Sequence, residues 1–217
     1  VQFIGAMEVH DGDLTFRTTK HSLLRIHVTD ADLRAAGDNA PVIIGANGSY
    51  NDLPVRASVT FESFDALRRV PRPVNVDIDA FGARTTVALT GTMTDPLGFD
   101  GIKGNLAISA ETLKELVSVI GITEFADLAL TLSGTLDKQG DRWLWNGLNG
   151  FFDGAAVAGS LGLDEGHKGK PDRYDIALNS GPLELQRMGV GGSGTSWRTG
   201  FSLHVNENPG ETFKISA

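Results

Sequence analysis

Apolar and polar side chains alternate in twos through most of this chain. Successive side chains of a strand point to opposite faces, so such alternation marks a sheet with one apolar and one polar face. Leu128, Leu130 and Leu132 alternate with Ala129, Thr131 and Ser133. Val74, Val76 and Ile78 alternate with Asn75 and Asp77, and Val87, Leu89 and Met93 stand opposite Thr86, Thr90 and Thr92. Leu106 with Ile108, Trp143 with Trp145, Ile176 with Leu178, and Phe201 with Leu203 and Val205 repeat the pattern. Turn chemistry separates these runs. Asp11–Gly12 predicts a hairpin between Glu8–His10 and Leu14–Phe16. Phe81–Gly82 and the stretch Asp137–Asp141 predict two more, and such short connections imply antiparallel neighbours.

Helical spacing is rarer. Leu113, Leu116, Val117 and Ile120 recur on one face of a predicted helix over Glu111–Ile120, with Ser109 as N-cap and Gly121 after its end. Shorter helices are predicted at Asp30–Ala36, at Phe64–Val70 ahead of Pro71, and at Pro182–Met188. The resulting fold class is mainly β: a long antiparallel, curved sheet, groove-like or half-barrel-like, with a few short helices. Alternation alone fits a closed β-sandwich equally well. No composition break divides the chain. Residues 1–188 read as the sheet segment, and 189–217 as a glycine-rich loop and terminal strands of the same domain.

Composition narrows the function classes. The chain has 217 residues, enough for a real apolar core, and 27 glycines spread among the strands. Its formal net charge of −8 and the absence of any basic run longer than Arg68–Arg69 argue against nucleic acid and against a polybasic membrane contact. With no cysteine there is no disulfide, thiolate metal site or cysteine nucleophile. No segment approaches the roughly 20 apolar residues of a membrane-spanning helix. The chain starts at Val1 and reads as a piece of a longer protein, with any anchor expected outside it.

Candidate chemistry is sparse. Gly189, Gly191 and Gly194 spell a dinucleotide-site motif, but between a helical piece and a strand it reads as a loop. His10 beside Asp11 and Asp13 is the one local group with metal-ligand residues, and it reads as a solvated turn. Asp30, Asp32 and Glu111 sit where a helix N-terminus favours negative charge. No serine-nucleophile signature, P-loop or zinc-protease motif occurs. The expectation is a non-enzymatic protein without cofactor or metal. Trp143 and Trp145 share a strand face and suit core packing or an apolar groove.

Several stretches together resemble the C-terminal half of the periplasmic region of AsmA-family envelope proteins. They are Val87–Met93 with Gly91 near its end, Gly104–Leu116 leading into an L-x-x-L helix, and Phe125–Leu136. They continue with Leu148–Leu161, glycine-punctuated, and Pro171–Leu178 leading to Leu183–Leu185. Val9–Phe16 is similar to an earlier hairpin of such proteins, whereas the chain from Gly189 onward departs from the pattern. The resemblance implies a bridge-like lipid carrier, tethered to the inner membrane and crossing the periplasm, whose curled sheet shields phospholipid acyl chains and serves outer-membrane assembly. Phospholipid or another apolar ligand is then the expected partner, with other envelope proteins beside it. The groove face would comprise Val87, Leu89, Met93, Leu128, Leu130, Leu132, Trp143 and Trp145. Two rival readings are a β-sandwich scaffold or adhesion module, and a carbohydrate-binding β-protein using Trp143, Trp145 or Trp197 as stacking platforms.

Overall fold

A computed structural model describes residues 5–17, 23–50, 53–112, 128–166, 172–181, 183–184, 196–197, 201–206 and 215–216. Of residues 14–17, 23–25 and 183 onward only the backbone is described. The strands are β1 Ala6–Arg17, β2 Leu23–Arg34, β3 Val42–Tyr50, β4 Leu53–Phe61, β5 Val74–Gly82, β6 Thr85–Met93, β7 Ile102–Ala110 and β8 Leu130–Gln139. They continue as β9 Arg142–Phe152, β10 Ala155–Asp164, β11 Arg173–Ser180, β12 Leu183–Glu184, β13 Ser196–Trp197, β14 Phe201–Asn206 and β15 Ile215–Ser216.

β1 to β11 pair strictly in chain order, each antiparallel to the next, and β14 and β15 extend the same sheet beyond β11. The result is one open meander of thirteen strands, with β12 and β13 forming a separate two-stranded piece. A sandwich would need a second large sheet across the apolar face, and the described strands contain none.

Register explains how one face becomes continuous. Val9, Ala31, Ala46, Ala57, Ala80 and Val87 are partners in turn across β1 to β6. Ile108, Leu132, Gly150 and Val157 carry the same row across β7 to β10. Because the side-chain period is two, this register sends most polar partners to the other face, with Thr85 and Lys138 as exceptions. The row Asp32, Gly45, Ser58, Asp79 and Ala88 runs there. Between β5 and β10 the apolar face is packed as a core, with Val76, Leu89, Met93, Ile102, Leu132, Leu136, Trp145 and Leu148 buried.

Several predicted elements are corrected. Asp11–Gly12 is no hairpin: β1 runs through it for 12 residues, with Asp11 at φ 56° and the ladder holding the same register on either side. Asp30–Ala36 is no helix, since β2 extends to Arg34; cross-strand pairing of Ala31 with Ala46 and Leu33 with Ile44 outweighs a short helical spacing. The helix at Phe64–Val70 is one turn, α1 Phe64–Leu67, whose N-cap Ser63 accepts a hydrogen bond from Ala66 N at 3.0 Å. Phe81 and Gly82 belong to β5, and the turn is Ala83–Arg84, both at left-handed φ, the conformation that two-residue hairpins favour. Glu111 and Thr112 are not helical, and the rest of the helix predicted over Glu111–Ile120 lies outside the described residues. So does the 189–194 glycine motif, while of Pro182–Met188 only Leu183–Glu184 is described, as strand.

Candidate functional site

The apolar face is not packed uniformly. Over β2 to β6 it opens into a cavity of about 470 Å³. Ile26 and Val28 of β2, Tyr50 of β3, Val55 of β4, and Thr85 and Val87 of β6 form much of its wall, which is almost wholly apolar. The space comes from residue size. Where the inward row carries Leu132 and Ile108 on β8 and β7, it carries Ala46, Ala57 and Ala80 on β3, β4 and β5. In the next row Val28, Gly48, Val55 and Gly82 are partners in turn, so glycine occupies every second place. Gly48 also tolerates no side chain, because a Cβ there would sit 2.0 Å from the carbonyl oxygen of His27. β2 carries a bulge between Val28 and Asp30 beside this close approach.

Seven of the eight residues expected to form the groove lie on this same apolar side, and Leu128 is buried just ahead of β8. They do not line one open site. Leu89, Met93, Leu128, Leu132 and Trp145 are buried, while Val87, Leu130 and Trp143 are half-buried. Of the eight, Val87 alone borders the cavity. The residues that sequence reasoning missed are the small ones, Ala46, Gly48, Ala57, Ala80 and Gly82. Their signal was present as alternating alanine and glycine at inward positions, but low bulk hides them from a search for large apolar side chains.

On the packed side the apolar face ends in a polar clamp. Lys138, in register with Ile102 and Trp143, is 8% exposed. Its Nζ donates to Asp100 Oδ1 at 3.1 Å and to the Gly140 carbonyl at 2.9 Å, and lies 4.9 Å from the Trp143 ring centroid. A buried ammonium needs such partners to offset its lost hydration. The backbone N–H of Gly101, then Lys138, and the Gly140 N–H hold the Asp100 carboxyl below its ordinary value. Trp143 Nε1 donates to Glu165 Oε1 at 2.8 Å. Lys138 stands over one face of the half-buried Trp143, and Trp145 is buried. The side chain of Trp197 lies outside the described residues.

The polar face of β1 and β2 joins the histidines to acids across the strands. His10 Nδ1 donates to Asp30 Oδ1 and His27 Nδ1 to Asp13 Oδ1, each at 2.9 Å. Glu8 stands 3.7 Å from His10, and Asp11 the same distance from His27. The hydrogen bonds to Asp30 and Asp13 raise both imidazoles above their ordinary value. No group of three potential metal ligands converges among the described residues. Nor is any described helix long and apolar enough to cross a membrane.

Compared with known protein families, curated proteins and solved structures, the chain finds no match in any of the three.

Proposed function

We propose that this chain is a non-catalytic β-groove segment that shields lipid acyl chains, in the manner of the AsmA-like envelope carriers its sequence resembles. Its place would be the periplasm, between inner and outer membranes, with the anchor in a neighbouring part of the protein. The observation that carries the reading is the apolar cavity of about 470 Å³ on a face that stays apolar across consecutive strands. That volume lies within the range of small-ligand sites, roughly 300–1,000 Å³. A wall so poor in polar atoms gives no purchase to a headgroup and suits a hydrocarbon chain. Burying ten methylenes would contribute about 8 kcal/mol. Association costs at least about 4 kcal/mol in lost freedom. The balance describes a site that fills and empties, as a conduit requires.

Native mass spectrometry with lipid extraction, on protein purified from a bacterial envelope fraction, tests this. Phospholipid should co-purify with the unaltered protein and be lost from Ala57→Asp, which puts a carboxylate into the cavity. Ser58→Asp, one residue along on the polar face, should keep it. Ala57 is a better probe than Leu130, whose neighbour Leu132 belongs to the packed core. Lipid-free protein, or equal loading of all three, contradicts the proposal.

A further inference from the structure

We propose that the opposite, polar face of the same strands carries a second binding site, for a neutral saccharide. Behind the apolar cavity lies a shallow dish of about 330 Å³, lined by Asp32, Asn47, Arg56, Asp79, Phe81 and Thr86. Gly45 and Ser58 form its floor, where they are register partners. Three observations give the dish its chemistry.

Two of its charges, on Arg56 and Asp79, are unspent. Arg56 donates from Nε to Asn47 Oδ1 at 3.2 Å and has no ion pair among the described residues. Asp79, across the floor on β5, is exposed and has neither hydrogen bond nor ion pair among them. Arg56 is in register with Phe81 and so lies diagonal to Asp79, near enough for the two to share a ligand.

The floor carries a carboxylate. Asp32 Oδ2 takes Arg34 Nε at 2.9 Å, while Oδ1 leans over Gly45, so that a Cβ on Gly45 would sit 3.0 Å from it.

The rim carries an apolar plate. Phe81 is 56% exposed beside Arg56, its register partner, and with Asn47 and Thr86 in the same dish. A buried location would satisfy this ring better, and an exposed aromatic beside convergent polar groups fits a ligand with both an apolar and a polar side.

Together these groups select a ligand class. Two carboxylates oppose an anion, and the guanidinium opposes a cation. A planar carboxylate accepts from neighbouring hydroxyls, the guanidinium fork and Asn47 amide supply donors, and the hydroxyl of Thr86 does either. The C–H face of a pyranose would stack on Phe81. The dish opens on the opposite face of the strands from the apolar cavity, although Ala46, Asn47, Ala57, Ala80 and Phe81 border both, and this proposal does not require that the cavity take lipid.

Amide NMR of isotope-labelled protein, titrated with methyl glucoside, methyl galactoside, methyl mannoside, N-acetylglucosamine and short oligomers of each, tests it. At least one should give saturable shifts centred on Gly45, Asn47, Arg56, Ser58 and Phe81. Phe81→Ala and Asp79→Asn should each weaken it by about tenfold or more. Both residues are exposed, so the fold should persist, and an unchanged amide spectrum away from the dish checks that. Asn105→Ala, elsewhere on the polar face, should bind as the unaltered protein does. No saturable binding of any of these sugars, shifts centred elsewhere, unaltered affinity in both dish variants, or stronger binding of inorganic phosphate at the same amides overturns the proposal.

Discussion

Single residues decide where this sheet is packed and where it is open. Gly91 and Gly104 face one another across β6 and β7, between Val76 and Leu136 in the same row. A Cβ on Gly104 would meet the Thr90 carbonyl oxygen at 2.4 Å and the Gly91 Cα at 2.8 Å. Backbone atoms cannot swing aside, so Gly104→Val should cost about 1–3 kcal/mol, read as a lower urea midpoint at unchanged slope. The sequence marks Gly91 as one glycine in a strand; that its partner is also glycine depends on register and emerges only with the sheet. Asp100 makes a second prediction. Its carboxyl titrates below the ordinary 3.8, so its contribution is fully present above that value and is lost as pH falls through the folded-state value. The stability gap between the unaltered protein and Asp100→Asn, taken from urea denaturation at several pH values, should be widest above pH 3.8 and close as the medium becomes more acid. A gap that does not change with pH would show that Lys138 does not depend on that charge.

At the scale of elements, long two-residue alternation reads true and short helical spacing does not. The strands β5 to β9 follow from Val74–Ile78, Val87–Met93, Leu106–Ile108, Leu130–Leu132 and Trp143–Trp145, where large apolar residues occupy every second place. β2 was hidden because Asp30 and Asp32 imitate a helix start, whereas with Arg34 they are the polar side of a strand. β1 was cut at Asp11–Gly12 because that pair has turn chemistry, although neighbouring Val9 and Gly12 keep register with Ala31 and Val28. The His–Asp pairs that join these two strands give an element-level prediction. Both imidazoles titrate above 6.5, so their contribution is fully present below that value and is lost as pH rises through the folded-state values. The groups facing them, Glu8, Asp11, Asp13, Asp30 and Asp32, then stay as like charges, relieved by Arg34. Corrected for intrinsic rates, amide exchange along β1 should speed up relative to β6 as pH rises above 6.5. In His10→Gln/His27→Gln this extra pH dependence should vanish, and its persistence would place the effect elsewhere.

Over the whole molecule, strand order makes the face. A meander in chain order needs no long crossover, so alternation in each hairpin accumulates into a single apolar side and a single polar side. Much of this was legible in the sequence: mainly β, antiparallel, one face apolar. What was not legible is the division of that face into a packed part over β5 to β10 and an open part over β2 to β6. The division depends on which small residues become register partners, a property of pairs rather than of positions. It moves the proposed groove from Leu128–Leu132 and the two tryptophans toward Ala46, Ala57 and Ala80. Site-specific photo-crosslinking tests that placement most directly. A photoreactive phenylalanine analogue is introduced in turn at Val55, Arg56, Ala57 and Ser58, and the protein is irradiated in an envelope fraction. Adducts to phospholipid should form from Val55 and Ala57 and not from Arg56 and Ser58, following the two-residue period of β4. Adducts from both faces alike, or from neither, would contradict a lipid groove on the apolar side of this sheet.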